Sequence, residues 1–272
     1  MKQLLIIGLI AIFSSFLACG VQSDPTVTAE VPQVQPNKPT EPIEPTNTKN
    51  KQPVLVELFT SEGCSSCPSA DRVLAQLDKE QSNPNAEIIT LALHVDYWDR
   101  IGWKDPFSSA LYSQRQAVYG QALKLDSNYT PQMVVDGQTE FVGSNMSNAN
   151  KAITENAKNI KANVELSNAD NSLKINISDI PKHENATIFL AIAEDNLSSN
   201  VTRGENSGRK LDHSSVVREL KSIGAVTAQQ NSFTTAMTVQ LQPDWKKADL
   251  KLVVFVQENG TRQILGVNRI SL

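Results

Sequence analysis

The sequence predicts an α/β domain followed by an all-β, sandwich-like domain, set behind an N-terminal export leader and a proline-rich tether. Three observations carry that expectation. An apolar run at 53–59 leads through a turn into Cys64-Ser65-Ser66-Cys67 and then into apolar residues at helical spacing, the pattern of a buried strand turning into a helix. Beyond residue 161 the periodicity changes to strand-length runs separated by Asn, Asp, Gly and Pro. Ahead of residue 53, six of the chain's 13 prolines fall in a stretch without an aromatic residue. Such a stretch cannot bury enough apolar surface to offset its ordering entropy.

Composition removes several classes of function. The 272 residues carry 25 basic and 29 acidic side chains, a net charge of -4, which gives no electrostatic reason to bind nucleic acid or anionic lipid through the body of the protein. Three cysteines exclude a disulfide-dense miniprotein and an all-cysteine structural zinc site. The one apolar run approaching membrane length is at the extreme N-terminus, so a polytopic membrane protein is excluded.

Residues 1–18 read as a signal peptide: a lysine, an apolar run from Leu4 to Leu17, then Ala18 before Cys19. Phe16-Leu17-Ala18-Cys19 resembles the lipobox of bacterial lipoproteins, with Phe16 where leucine is usual. That resemblance implies lipidation of Cys19 and a lipid-anchored place in the cell envelope; Gly20, in place of aspartate, implies the outer membrane facing the periplasm if the source is Gram-negative. The alternative is a plain secretory signal or an uncleaved anchor. Residues 19–52 form the tether, solvated and partly polyproline II.

The α/β domain is expected over 53–160. Pro53 to Phe59 has the β-branched apolar character of a central strand. Cys67, Ala70, Val73, Leu74 and Leu77 recur at steps of three and four, so a helix is expected from Cys64 to about Asp78. Cys64 then sits at the helix N-terminus, where unpaired N–H groups favour a thiolate, and is the natural nucleophile. Cys67, one turn on, faces inward and resolves the mixed disulfide. The alternative is a permanently oxidised structural bridge. Ala86 to Val95 is a second buried strand running into the cluster His94-Val95-Asp96-Tyr97-Trp98-Asp99, and 108–123 is a helix. Asn128-Tyr129-Thr130-Pro131 precedes a hairpin of 132–135 and 139–142 across Asp136-Gly137, and a helix at 147–160 closes the segment.

This order of elements resembles the thioredoxin fold, so the fold class expected is an α/β thioredoxin-like domain followed by an all-β sandwich-like domain. The resemblance implies a cis-proline at Pro131 and substrate hydrogen bonds at Thr130; Ser65-Ser66 stands where thioredoxin has Gly-Pro. More closely, ELFTSEGCSSCPSAD, HVDYWD, YTPQMVVDG and RGENSGR together resemble the bacterial domain-of-unknown-function family 1223, secreted thioredoxin-like proteins, over nearly everything after the tether. Glu57 lies close to where thioredoxins keep a buried acid serving the resolving cysteine, one residue out of register; the shift turns it to the opposite face unless the longer turn with Gly63 absorbs it. His94, at the C-terminal end of a strand beside the motif, is a candidate to stabilise the Cys64 thiolate, shuttle a proton or bind Cu(I) with Cys64 and Cys67; the alternative is a packing histidine.

The sandwich-like domain is expected over 161–272, from runs at 163–166, 173–177, 187–193, 233–241, 250–256 and 263–270. Residues 211–223 fit helix and strand equally by pattern, and the family resemblance favours a strand. The Arg203-Gly204-Glu205-Asn206-Ser207-Gly208-Arg209 loop either clamps a carboxylate, docks on the first domain, or is a solvated hairpin loop.

The functional expectation is an envelope thiol-disulfide oxidoreductase exchanging with protein thiols or disulfides through Cys64 and Cys67. No NAD, flavin or P-loop signature is present, so no cofactor is expected and electrons come from a redox partner protein. The alternatives are a Cu(I) metallochaperone using Cys64, Cys67 and His94, a non-catalytic adaptor, and a structural lipoprotein whose bridge stiffens the fold.

Overall fold

The computed structural model describes residues 51–169 and 172–272. The leader, Cys19 and nearly all of the tether therefore lie outside the described residues. From Asn47 onward the chain is one compact unit.

The expected elements of the first half are present. Strand β1 (Gln52–Thr60) leads to helix α1 (Cys67–Glu80), strand β2 (Ala86–His94), helix α2 (Ala110–Ala122), the hairpin β3 (Gln132–Val135) and β4 (Thr139–Val142), and helix α3 (Met146–Asn156). Then come β5 (Asn163–Ala169), β6 (Ser172–Ser178), β7 (Ala186–Glu194), β8 (Leu197–Asn200), β9 (Lys210–His213), β10 (Val216–Val226), β11 (Phe233–Thr238), β12 (Leu250–Glu258) and β13 (Ile264–Ser271). Residues 211–223 thus fall in two strands, β9 and β10, on either side of a bend at 214–215.

Their assembly corrects the fold class expected from sequence. The chain does not form an α/β thioredoxin-like domain followed by an all-β sandwich-like domain. A single eight-stranded mixed sheet, ordered β13-β12-β7-β10-β2-β1-β3-β4, runs through both halves. β1 and β2 pair in parallel along their whole length. The seam is at β2 and β10, which meet in parallel at Ala92 and Val216, with the Ala92 N–H donating to Ser215 O at 2.8 Å. β7 and β12 are then paired antiparallel on the far side of β10.

Burial supplies the physical reason. All nine residues of β12 are buried, and the alternate sets of its side chains serve different cores. Leu252, Val254 and Val256 pack with β7 residues against the separate three-stranded sheet β11-β6-β5, through Leu173, Ile175 and Ile177. Val253 and Phe255 join Leu55, Phe59, Leu91 and Leu93 of the first half beneath Tyr112 and Tyr119 of α2. A strand covered on both faces belongs to the interior of a sheet, whereas the outer face of an antiparallel sandwich is solvated. On the other face of β1 and β2, Val54, Val56, Leu58 and Ile88 pack against Ala70, Leu74 and Leu77 of α1 and Ala149, Ala152 and Ile153 of α3.

Polar contacts join the halves as well. Asp78 of α1 receives Arg269 at 2.8 Å and Lys251 at 3.3 Å, and Lys251 also reaches Asp195 at 3.1 Å and Ser215 Oγ at 2.8 Å. The first half is thus bonded to its neighbour through backbone, apolar core and buried charge.

Candidate functional site

The motif occupies the C-terminal end of β1, the end at which parallel-sheet proteins gather their chemistry. Two tight turns bring the cysteines together: the Cys64 N–H donates to Ser61 O and the Cys67 N–H to Cys64 O, both at 3.2 Å. Helix α1 begins at Cys67, not at Cys64, so the expected helix start is corrected by one turn and Cys64 lies in the loop entering the helix. The two sulfurs lie at disulfide distance, with Cα atoms 5.4 Å apart. Cys64 is 1% exposed and Cys67 fully buried, whereas Ser65 and Ser66 between them are exposed. Ser66 Oγ approaches Cys64 Sγ at 3.3 Å.

The cover over the motif comes from three segments distant in sequence. Gly63 permits the first: a Cβ there would stand 3.1 Å from Trp98 Cβ, so the HVDYWD segment packs directly on the turn. Trp98 Nε1 donates to Thr130 Oγ1 at 2.8 Å, tying that segment to the second, in which the Thr130-Pro131 bond is cis. Gly143, whose N–H donates to Pro131 O, would set a Cβ 3.2 Å from Ala70 of α1 and 3.5 Å from Pro131, so this proline is packed close to the helix that carries Cys67. The third is the RGENSGR loop between β8 and β9. Asn206 is fully buried and its Nδ2 donates to Glu62 O at 2.8 Å and Cys64 O at 2.9 Å. Arg209 Nη1 donates to Asn206 Oδ1 and orients that amide, and the Ser65 N–H donates to Glu205 Oε2 at 2.9 Å. Of the roles open to this loop, docking on the motif is the one observed.

Beneath the cover lies a buried cluster of acids and imidazoles. His94 Nδ1 pairs with Asp105 Oδ2 at 2.7 Å, and that oxygen also accepts the Glu62 N–H at 2.8 Å. His213 Nε2 pairs with Glu62 Oε1 at 2.9 Å, while Glu62 Oε2 accepts from Trp103 Nε1 at 2.8 Å. The two imidazole rings meet edge to face with centroids 5.0 Å apart, and Phe107 packs edge-on against both. Asp71 completes the set, accepting from Thr60 Oγ1 at 2.8 Å. Burial penalises a charged imidazole, but the adjoining Asp105 carboxylate, helped by Asp71 and Glu62, outweighs it and raises the His94 pKa. Asp105 shows the converse: burial pushes its pKa up, but His94 and the N–H groups of Glu62 and Phe107 carry it down. At Asp71 burial prevails and the pKa rises.

Glu57 and His94 each take one of the placements that the sequence leaves open. Glu57 is not beside the cysteines. It shares a face of β1 with Leu55 and Phe59, opposite the face covered by α1, and is held there by Arg115 of α2 at 2.6 and 3.0 Å and by the Tyr119 hydroxyl. The longer turn does not absorb the one-residue shift, because strand alternation is set before the turn begins. His94 is fully buried and committed at Nδ1 to Asp105. Among the described residues no group of three or more His, Cys, Asp or Glu side chains is placed to hold a metal ion.

Sequence reasoning gave Glu62, Asp71, Asp105 and His213 no role and named Asn206 only within a loop whose roles it left open. Asp71 carried a readable signal, since it lies four residues after Cys67, where an inward-facing helix position calls for an apolar side chain. Asp105, Asn206 and His213 reach the site through the tertiary fold and carried none.

Fold and site together define a mixed-sheet protein with a C-x-x-C disulfide pair at the end of a central strand, closed over by a loop from the C-terminal half. The family model for proteins of unknown function DUF1223 matches residues 55–257, and the chain belongs to that family. No curated protein matches it. Among solved structures it is similar to protein AGR_C_4864 from Agrobacterium tumefaciens, at 24% identity and a TM-score of 0.65 over 82% of this chain and 95% of that one. It is also similar to HBP35 of Porphyromonas gingivalis, at 18% identity and a TM-score of 0.59 over 82% of this chain and 76% of that one. At these identities the likeness concerns the fold.

Proposed function

We propose that this protein is a thiol-disulfide exchange protein of the cell envelope, lipid-anchored through Cys19, acting on protein thiols or disulfides and recharged by a redox partner protein. The observation that carries the reading is the Cys64–Cys67 pair, two sulfurs at disulfide distance across three residues of sequence, at the end of β1. A bridge closing so short a loop removes little entropy from the unfolded chain, so stapling is a weak account of it. In the reducing direction the Cys64 thiolate attacks a partner disulfide and Cys67 then displaces the partner, closing the Cys64–Cys67 bridge and releasing two partner thiols. Thr130, bonded to Trp98 over the Gly63 turn, and Pro131, packed beside α1 at Gly143, position the partner's chain.

Burial of Cys64 assigns the 203–209 loop a part in this chemistry. The exposed Ser65-Ser66 edge is the surface a partner meets first. Access to Cys64 then requires release of Glu205 from Ser65 and of Asn206 from the carbonyls of Glu62 and Cys64.

Turbidimetric insulin-disulfide reduction, with dithiothreitol as electron source, tests the reading. The intact protein is expected to accelerate precipitation of the insulin B chain, and the Cys64→Ser variant to be inactive. Equal rates for the two proteins would reject exchange at this site.

A further inference from the structure

A cavity separate from the motif lies along α2, against β7 and β10. It holds about 270 Å³ and is lined by Leu111, Val118 and Tyr119 of α2, Phe189 of β7 and Leu220 of β10. Leu111 and Val118, seven residues apart and so on one side of the helix, are 59% and 37% exposed. The Arg115 guanidinium, also on the lining, stands 5.0, 5.4 and 5.2 Å from the ring centroids of Tyr119, Phe189 and Phe255. None of these residues belongs to the motif or to the three segments that cover it.

Three cationic side chains border the cavity, and they differ in what neutralises them. Arg115 is fully committed, to Glu57 at 2.6 and 3.0 Å, to Gln257 at 3.0 Å and to the Tyr119 hydroxyl at 2.9 Å. Lys221 pairs with Glu219 at 2.7 Å. Arg262 has no acid partner among the described residues, and its Nε is buried without a hydrogen bond. Since the residue as a whole is half-buried, the accessible part of its guanidinium is the Nη pair. The backbone fixes Arg262 at a φ of 66°, a left-handed conformation that favours glycine: its N–H donates to Glu258 O at 3.1 Å and its carbonyl accepts from Gln257 Nε2 at 2.8 Å. Gly137 permits this packing, because a Cβ there would collide with Arg262 O. A guanidinium without counter-charge beside an apolar cavity calls for an anion that brings its own apolar body.

We propose that this cavity binds a single-chain aliphatic carboxylate, with its alkyl chain against Leu111, Val118, Phe189 and Leu220 and its carboxylate on the Nη groups of Arg262. A guanidinium and a carboxylate match through two parallel N–H···O bonds. A volume of about 270 Å³ is at the small end for ligand sites, which suits one chain of medium length and excludes a two-chain lipid. The carboxyl terminus of an apolar peptide carries the same charge but also brings amide groups that need partners. Gln257 and Arg115 are already spent on their neighbours, which leaves Gln114 and Ser222 for that task. A methylene chain has no such groups to satisfy. The site uses neither cysteine and stands independently of thiol exchange.

Isothermal titration calorimetry of the full chain with sodium decanoate, kept below its micellar concentration, tests this. One saturable site is expected. Arg262→Gln is expected to weaken decanoate binding at least about tenfold and to leave binding of 1-decanol, which lacks the charge, unchanged. Val118→Asp, on the exposed side of α2, reads the same cavity without touching the Arg262 turn and is expected to weaken both ligands. Decyltrimethylammonium, with the same chain and the opposite charge, is expected not to bind. The Cys64→Ser variant is expected to bind decanoate as the intact protein does, so a failure of thiol exchange leaves this site untouched. No saturable binding of decanoate, equal affinity of the intact protein and Arg262→Gln for it, or equally tight binding of decyltrimethylammonium overturns the proposal. Tighter binding of N-acetyl-trileucine than of decanoate overturns it too, by giving the cavity to a protein carboxyl terminus.

Discussion

At the scale of single residues, the parity of β1 decides which helix each of its polar side chains meets. Glu57 points to the α2 side, where it sits with Arg115, Tyr119 and Gln257, whereas Thr60 points to α1 and bonds Asp71. Replacing Glu57 by Gln leaves the Arg115 guanidinium buried without its counter-charge, so chemical denaturation is expected to show a loss of about 3 kcal/mol or more. The rate of insulin reduction by Glu57→Gln is expected to match that of the intact protein. The His94–Asp105 pair has a different signature. Because the His94 pKa is raised on folding, its contribution to stability is complete below the ordinary 6.5 and is lost as pH rises through the elevated folded value. Asp71, also raised, acts in the same direction from 3.8 upward. Thermal midpoints are therefore expected to fall as pH is raised from 6.5 toward alkaline values, and Asp105→Asn to flatten that decline; a pH-independent midpoint in the intact protein would contradict the pairing. The cysteines were legible from spacing alone, whereas Asp71, an acid at an inward helix position, was passed over. Asp105 was not legible, because its partner lies across a loop whose path depends on Gly63 and Trp98.

At the scale of elements, the β8–β9 hairpin and its 203–209 loop reach across the molecule to hold the turn of the motif. Asn206→Ala strips a donor from two carbonyls, those of Glu62 and Cys64. A cost of about 1–3 kcal/mol is expected from leaving such groups unpaired. The same change loosens the cover, so iodoacetamide is expected to label Cys64 of the reduced variant faster than that of the intact protein; equal rates would show that the loop does not gate the thiol. Local sequence announced this loop by its glycines, Gly204 and Gly208, both at positive φ. It did not announce the loop's target, since nothing in RGENSGR encodes a contact some 140 residues away. Helices, hairpin and most strands were readable from periodicity, and β10, ambiguous by pattern, is strand because it pairs with β7 over most of its length.

At the scale of the whole molecule, the division at residue 160 expected from sequence gives way to a sheet shared by both halves. Strand-length runs in the second half resemble a sandwich until burial on both faces is considered. The unbroken apolar run Leu252 to Val256 was the available sign. The DUF1223 match likewise spans both halves, from 55 to 257. Residues 51–160 expressed alone are expected to lack a cooperative unfolding transition, because Leu91 and Leu93 lose partners on β7, β10 and β12. Lys251→Met is expected to destabilise the full chain by about 1–3 kcal/mol, because Ser215 Oγ loses its buried partner while Asp78 keeps Arg269 and Asp195 is partly exposed. In both experiments circular dichroism melting is the readout.

That Cys64 and Cys67 form an exchangeable couple is tested by the couple's reduction potential, measured by equilibration with dithiothreitol or glutathione buffers and quantified by thiol alkylation. A potential above about −300 mV, within reach of partner dithiols, is expected. A value below about −300 mV, where structural disulfides lie, would contradict it.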